Sequence, residues 1–170
     1  DLVKSVLDDN IAAVVRGSLP ASNIIQELKE YYPNLSRATY VNGEEYEFLL
    51  SPVGIDEGKN VDERFDIALN CVDFLKKFGK DPKIAILAEG RDDDFGRGSE
   101  VSNSIADSKK LTKLIEENTD ENVKNYFILI EKAIQDKSNI IIAPNGRVGN
   151  IIFRTLVLLN SWPSYGAITF

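Results

Sequence analysis

The sequence predicts an α/β protein with a doubly wound, mainly parallel sheet that has helices on both faces. Runs of β-branched and other apolar residues, typical of strands buried on both faces, alternate with stretches that have apolar residues at helical spacing. The clearest buried-strand runs are residues 83–88 and 139–143. Such alternation is typical of right-handed crossovers, so we treat residues 1–170 as one domain of this kind.

The other elements follow in order along the chain. A buried strand at residues 11–15 leads through Gly17 into a helix, for which Ser18 offers an N-cap and Pro20 an early position. An Asn42-Gly43 pair between strand-like runs predicts a β-hairpin, which we place as an antiparallel annex or edge. Further strands are expected at 126–130 and 165–170, and helices at 60–79, 100–117, 131–136 and 150–159.

Composition excludes several classes of site in this chain. It has 170 residues with a net charge of −7, which disfavours nonspecific binding of nucleic acid. With no His and one Cys, it can form neither a Ser-His-Asp triad nor a catalytic zinc site. Its apolar runs are too short to span a bilayer and no signal peptide is evident, so we expect a cytoplasmic location. Because Met is absent even at position 1, we expect a longer native chain.

Arginines follow three predicted strands, at the end of the sheet where open α/β proteins bind ligands. The planar guanidinium fork suits phosphate or carboxylate, so we predict an anion site there. Its predicted residues are Arg16, Gly17, Ser18, Arg91, Asn145, Gly146, Arg147, Gly149 and Asn150. The N–H groups of the glycine-containing turn can approach a phosphate. Both features have an alternative, purely structural explanation. The glycines can belong to a tight turn that needs positive φ, and Ser18 can be only the N-cap of a helix.

Candidates for catalysis and metal binding are few. Glu89 and Glu131 lie at strand ends and are the candidate bases, although the sequence does not fix a catalytic residue. The acidic run at residues 92–94 can hold magnesium or remain solvated, and we assign no metal site. Cys71 lies in an amphipathic helix and is interpreted as a packing residue.

Residues 139–150, Asn-Ile-Ile-Ile-Ala-Pro-Asn-Gly-Arg-Val-Gly-Asn, are similar to the strand-turn-helix signature of phosphotransacetylases. With residues 15–19 and 51–58, the same segment resembles the methanogen MtxX family, named for a methyltransferase X subunit and also called methanogenesis marker proteins. The resemblance implies the phosphate acetyl/butyryltransferase-like superfamily and an isocitrate/isopropylmalate dehydrogenase-like fold. It also implies coenzyme A or another phosphate-containing ligand, and a role in methanogen metabolism.

The resemblance is broken at two places. Asn145 stands where phosphotransacetylases have an Asp that is proposed to deprotonate the coenzyme A thiol. Asn cannot accept a proton at neutral pH, so that role does not transfer. The family's Ser-x-Ser-Thr loop is replaced by Ala88-Glu89-Gly90-Arg91, which keeps a cation but lacks the hydroxyls.

Three functions remain open at this point. The first is a transferase acting on an acyl phosphate, a coenzyme A ester or a related anion. The second is a non-catalytic anion- or nucleotide-binding or regulatory module, which Asn145 favours. The third is a subunit attached to a methyltransferase. We expect a small phosphate-bearing ligand, a homodimer or a methyltransferase as protein partner, and no nucleic acid or membrane. A dehydrogenase is disfavoured because no Gly-x-Gly-x-x-Gly follows the first strand.

Overall fold

The computed structural model describes every residue except 1, 9–10, 12–16, 34 and 44–45. The chain divides into two compact units, Asp1–Leu35 and Ser36–Phe170. The first unit contains helices α1 (Leu2–Leu7) and α2 (Ala21–Tyr31). The helix predicted after Pro20 is therefore confirmed. The strand predicted at residues 11–15 lies outside the described residues, except for Ile11, which is in neither a helix nor a strand.

Ser18 is not the N-cap that the sequence predicted. Helix α2 begins at Ala21, and Pro20 occupies its N-cap position without a side-chain hydrogen bond. The residue before a proline is driven away from helical backbone angles, so Leu19 cannot open the helix and the cap falls after Ser18. Gly17 has a φ of 61°, a left-handed conformation that glycine adopts readily.

The second unit is built on a six-stranded sheet with the order β4-β3-β5-β2-β1-β6. Its strands are β1 (Arg37–Asn42), β2 (Glu47–Ser51), β3 (Lys83–Leu87), β4 (Asn122–Phe127), β5 (Ile140–Ile142) and β6 (Ser164–Thr169). Strands β2 to β5 are paired in parallel, while β1 is antiparallel to both β2 and β6. The mainly parallel sheet and the hairpin are confirmed, and β2 joins the hairpin directly to the parallel strands.

Helices cover both faces of this sheet, as predicted. Those of the second unit are α3 (Val61–Lys77), α4 (Ser99–Asn118), α5 (Ile130–Gln135) and α6 (Gly146–Phe153), with a π-helical segment at Arg154–Leu159. Alternate strand residues point to opposite faces, so Ile84 packs with α3 and α4 while Ala85 packs with α5 and α6. None of the described helices is long and apolar enough to cross a membrane.

Strands β3 and β5 lie side by side near the centre of the sheet, and the connections after them leave in opposite directions. After β3 the chain passes through α4 to β4 at one edge, and after β5 it passes through α6 to β6 at the other edge. Helices α4 and α6 lie on opposite faces. Open α/β sheets have a crevice at such a point, beyond the carboxyl ends of the two strands, and ligands bind there.

The apolar stripes predicted for the long helices form the core. Val72, Leu75 and Ile105 are buried, and Leu114 is partly buried against the same cluster. Cys71 is fully buried, and this burial raises the pKa of its thiol to about 12. A thiol that stays protonated and enclosed is a packing residue, as the sequence suggested.

Truncation of Leu75 tests the α3 face. Leu75 is 5% exposed and Leu159 is 76% exposed. We expect Leu75→Ala to lower the free energy of unfolding by about 2–5 kcal/mol, because it leaves a cavity in the core. The same change at Leu159 should cost far less. Urea denaturation of the two variants beside the wild type measures this, and equal midpoints for all three would contradict the core assignment.

Candidate functional site

A cavity of about 450 Å³ lies at the crevice between β3 and β5. Its walls are the residues that follow β3 and β5, the loop after β2, and the N-terminal parts of α3 and α4. Charged and amide side chains dominate this lining, although Ile55 and Pro144 also contribute. The position is the one that the sheet topology indicates for a ligand.

Asn145 organises the turn between β5 and α6. Its side-chain oxygen accepts hydrogen bonds from the backbone N–H groups of Arg147 (3.1 Å) and Val148 (3.0 Å), so it is the N-cap of α6. Its amide nitrogen donates to the carboxylate of Glu89. The N–H of Gly146 is also occupied, by the backbone oxygen of Glu57 at 3.3 Å. The sequence suggested that N–H groups of this turn approach a phosphate, but the first N–H groups of α6 already have hydrogen-bond acceptors within the protein.

The helix also begins earlier than predicted. It starts at Gly146 instead of Asn150, because Asn145 caps it, so Gly149 and Asn150 lie within its first turns. The N–H of Gly149 donates to the backbone oxygen of Asn145 at 3.1 Å. The amide of Asn150 donates to the backbone oxygen of Val53 at 3.3 Å and so ties α6 to the loop after β2.

Gly146 and Gly149 are required for close packing and not for positive φ. Neither residue is among the glycines with positive φ, since both have entered the helix. A Cβ on Gly146 would overlap the backbone oxygen of Gly54, and one on Gly149 would overlap that of Pro52. Helix α6 thus packs backbone to backbone against the loop after β2. The positive-φ interpretation of this turn is wrong.

Arg64 is a buried cation beneath the cavity, with an exposed fraction of 2%. Its guanidinium donates to the backbone oxygen of Pro144 (2.8 Å) and to Asp107 (2.7 Å), and its Nε donates to the backbone oxygen of Asn60 (3.1 Å). One side chain therefore joins α3, α4 and the β5–α6 turn. Arg64 is not among the predicted site residues, although an arginine between Val61 and Ala68 on a buried helix stripe is itself a signal of a cation with partners inside the protein.

Glu57 is a second buried ionic group, with an exposed fraction of 6%. The Nε of Arg37 donates to its Oε1 at 2.6 Å, and the Nη2 of Arg37 contacts the same oxygen. The other oxygen, Oε2, is buried and has no hydrogen-bond partner among the described residues. Gly54 makes room for this pair, since a Cβ there would overlap the Arg37 guanidinium. Glu57 also lines the cavity.

Glu89 is held at two points. Its backbone N–H donates to the Ser104 hydroxyl of α4 at 3.0 Å, and its Oε1 accepts from Asn145. In the part of the chain that the structure describes, its Oε2 has no hydrogen-bond donor. Glu89 and Ser104 both line the cavity. A carboxylate with one anchored oxygen and one available oxygen can accept a proton or a hydrogen bond from a ligand.

Two cations complete the lining. Lys59 precedes α3 and Arg147 lies in the first turn of α6, and both side chains are exposed. Neither forms an ion pair with any described residue, so both are available to an anion. Long cationic side chains at the mouth of a cavity attract and neutralise negatively charged ligands.

The predicted site residues are only partly gathered here. Glu89, Asn145 and Arg147 meet at the cavity, and Gly146 is the first residue of α6 between the last two of them. Arg91 is exposed and is not among the described lining residues. Glu131 is exposed on α5, which packs on the face opposite α3 and α4. Arg16 lies outside the described residues, while Gly17 and Ser18 belong to the first unit, so their roles remain predictions.

The acidic run after β3 forms a short 3-10 helix at Asp92–Asp94. Asp92 pairs with Lys109 and Asp94 with Arg97, so these carboxylates are compensated by side chains. Among the residues that are described, no group of three or more His, Cys, Asp or Glu side chains is arranged to hold a metal ion.

Comparison with known proteins gives the family. No protein-family model matches the sequence. The chain is 38% identical over 177 residues to an uncharacterized methyltransferase of Methanocaldococcus jannaschii, covering 98% of the chain and 70% of that protein. The chain belongs to this family of methanogen proteins. A Methanosarcina barkeri member, provisionally named methyltransferase mtx subunit X, is 34% identical over 171 residues, and the chain spans 62% of its length.

Solved structures confirm the fold prediction. A branched-chain phosphotransacylase from Enterococcus faecalis matches with a TM-score of 0.70 at 19% identity, over 91% of this chain and 61% of that one. The EutD phosphotransacetylase from Staphylococcus aureus matches with a TM-score of 0.59 at 17% identity, over 79% of this chain and 45% of that one. At such low identity the shared property is the phosphotransacetylase-like fold.

Substitution of Gly146 tests the close approach of α6 to the loop after β2. We expect Gly146→Ala to destabilise the protein by about 1–3 kcal/mol, because the added methyl must displace backbone. Gly98→Ala is the matched control, since a Cβ at Gly98 meets nothing within 4 Å. Thermal unfolding of both variants measures the difference. A Gly146→Ala midpoint equal to that of the control would show that the two backbones are not in contact.

Proposed function

We propose that the protein is a transferase of the phosphate acyltransferase-like type, which acts on a phosphate-bearing or coenzyme A-linked substrate in methanogen metabolism. The proposal is carried by the contact between Glu89 and Asn145 in the cavity beyond β3 and β5. It places an anchored carboxylate in the same cavity as the cations of Lys59 and Arg147. Acyl transfer from a phosphate requires a base that deprotonates the nucleophile and cations that neutralise the phosphate, and this cavity has candidates for both.

In this proposal Glu89 is the general base and Asn145 is a positioning residue. The nucleophile loses its proton to the free oxygen of Glu89 and bonds to the acyl carbon. The acyl–oxygen bond to phosphate then breaks, and phosphate leaves with the electron pair. Lys59 and Arg147 stabilise the charge on that leaving group. Asn145 cannot take the proton, but its amide fixes the orientation of the Glu89 carboxylate.

A second candidate function is a non-catalytic anion- or nucleotide-binding subunit that works with a methyltransferase. It is favoured by the amide at Asn145 and by the name of the Methanosarcina barkeri relative, which describes a methyltransferase subunit. Turnover separates the two candidates. The first requires release of phosphate from an acyl phosphate in the presence of an acceptor such as coenzyme A, and loss of that release in Glu89→Gln. The second requires binding without turnover.

Ligand-dependent stability tests the anion site that both candidates share. We expect phosphate, acetyl phosphate or coenzyme A to raise the unfolding temperature of the full-length protein. The gain in unfolding free energy should be about 2.7 kcal/mol at a hundredfold excess over the dissociation constant. Arg147→Ala should remove much of this gain, because the anion loses a charged partner. Arg154→Ala, which removes an exposed arginine outside the cavity lining, should retain it. Absence of a shift with all three ligands would refute an anion site.

The variant Asn145→Asp tests the pairing with Glu89. It replaces a donated hydrogen bond by two adjacent carboxylates, so we expect a loss of roughly 1–3 kcal/mol in unfolding free energy. Protonation relieves the repulsion between like charges, so the loss should be larger at about pH 7 than at about pH 5. The double variant Glu89→Gln/Asn145→Asp should recover most of it, since Gln can donate to Asp. Urea unfolding at both pH values measures this, and a pH-independent loss would contradict the contact.

A further inference from the structure

Helix α4 carries several hydroxyl side chains, and that of Ser104 is bonded differently from two that lie further along the helix. Ser108 donates to the backbone oxygen of Ile105 at 2.8 Å, and Thr112 donates to that of Ser108 at 2.9 Å. Such bonds satisfy a hydroxyl within its own helix. The oxygen of Ser104 instead accepts the backbone N–H of Glu89 at 3.0 Å, from the residues that follow β3.

A hydrogen-bond donor remains available on Ser104. A hydroxyl has one O–H donor and two acceptor positions, and the contact with Glu89 uses one of the acceptor positions. Among the residues that the structure describes, none accepts a hydrogen bond from Ser104. The side chain is half-buried and lines the cavity beyond β3 and β5. Its O–H group can therefore reach a ligand in that cavity.

Close packing fixes the position of this hydroxyl. Gly90 is buried, and a Cβ on it would lie 2.6 Å from Cγ1 of Val101 on α4. The residues after β3 can therefore approach α4 closely, which brings the N–H of Glu89 to Ser104. Ile105, the next residue of the helix, is fully buried. A short side chain between a buried neighbour and a closely packed loop has little freedom to move, so Ser104 is a preorganised donor.

Ser104 lies on the same wall of the cavity as one of the two free cations. Glu89, whose N–H it accepts, is bonded through its carboxylate to Asn145. The side-chain oxygen of Asn145 accepts the N–H of Arg147 at 3.1 Å. A continuous series of hydrogen bonds thus joins Ser104 to Arg147 through residues that all line the cavity. A hydroxyl and a cation placed in this way can contact one anion together.

The hydroxyl supplies something that the cations of the lining do not. Lys59 and Arg147 are long, exposed side chains, and salt weakens their attraction to an anion. A hydrogen bond from a neutral donor to an anionic oxygen is short and directional, and it depends much less on ionic strength. The cations can therefore neutralise the charge of the anion, while Ser104 fixes its position.

We propose that Ser104 contacts the ligand of this cavity by donating a hydrogen bond from its hydroxyl to a phosphate oxygen, while its own oxygen accepts the N–H of Glu89. The inference rests on the proposed function and adds a ligand-contacting residue to it. The two hydrogen bonds reinforce each other, because a hydroxyl that donates becomes a better acceptor.

Calorimetric titration of the full-length protein with inorganic phosphate tests this contact. We expect Ser104→Ala to weaken phosphate binding by about tenfold, a loss typical of a hydrogen bond to a charged group. Ser104→Thr should retain the affinity, because it keeps a hydroxyl on the same carbon. Ser104→Cys is a second variant that should weaken binding, because a thiol is a weak donor.

The matched control is Ser102→Ala. The oxygen of Ser102 accepts the N–H of Gly96 at 2.9 Å, so it also holds residues between β3 and α4, but it is not among the described lining residues. Its loss should leave phosphate binding unchanged. Raising the salt concentration gives a second readout. The factor lost in Ser104→Ala should persist at high salt, whereas that lost in Arg147→Ala should decrease, because salt screens exposed charges.

Each outcome supports or overturns the inference. A loss in Ser104→Ala that Ser104→Thr restores, and that Ser102→Ala does not share, supports it. Equal phosphate binding by Ser104→Ala and the wild type overturns the inference and leaves the anion site of the proposed function standing. An equal loss in Ser102→Ala, or a loss that Ser104→Thr does not restore, also overturns it, since the effect would then come from the shape of the loop. Failure of the wild type to bind phosphate and acetyl phosphate at millimolar concentration overturns both the inference and the anion site.

Discussion

The buried guanidinium of Arg64 is the contact on which the geometry of the candidate site depends. It donates to a helix terminus, to Asp107 of a second helix and to Pro144 at the end of β5. Removal of the guanidinium would leave the buried Pro144 carbonyl without its partner, which costs more than the loss of an exposed ion pair. The position of Asn145 follows from that of Pro144, and the orientation of Glu89 follows from Asn145.

A second constraint comes from the missing side chains of three glycines. Gly146 and Gly149 allow α6 to pack closely against the loop after β2. Gly54 allows the same loop to pack closely against the Arg37–Glu57 pair. Backbone packed this closely has few alternative arrangements, so the floor of the cavity is set by main chain and by buried ion pairs. The groups proposed to contact a ligand are then supported on rigid elements, which is the usual basis of an accurately placed site.

Local sequence patterns predicted the strands and helices well, because each of these elements forms between residues that are close together in the sequence. The apolar run at Ile140–Ile142 and the Asn42-Gly43 turn are signals of this kind, and both led to the observed elements. At the start of α3 the side chain of Asn60 accepts from the N–H of Glu63 at 2.8 Å, so Asn60 is an N-cap of the residue type that helix starts favour.

The site was less predictable because its decisive contacts join residues that are distant in sequence. Nothing near Arg64 indicates that its partners are Asp107 and Pro144. The same limit explains Glu131, which follows a strand but lies on α5, on the other face of the sheet. For Gly146, local sequence could show that a side chain is excluded but not that a neighbouring backbone excludes it.

The self-capped start of α6 has a consequence for how the protein would respond to its medium. Because Asn145 and Glu57 already occupy the first N–H groups of that helix, an anion would depend on the exposed side chains of Lys59 and Arg147. Dissolved salt screens exposed charges over about 8 Å at physiological ionic strength, but it screens enclosed dipoles much less. Occupancy of such a site would therefore follow the ionic strength of the surrounding solution as well as the concentration of the ligand.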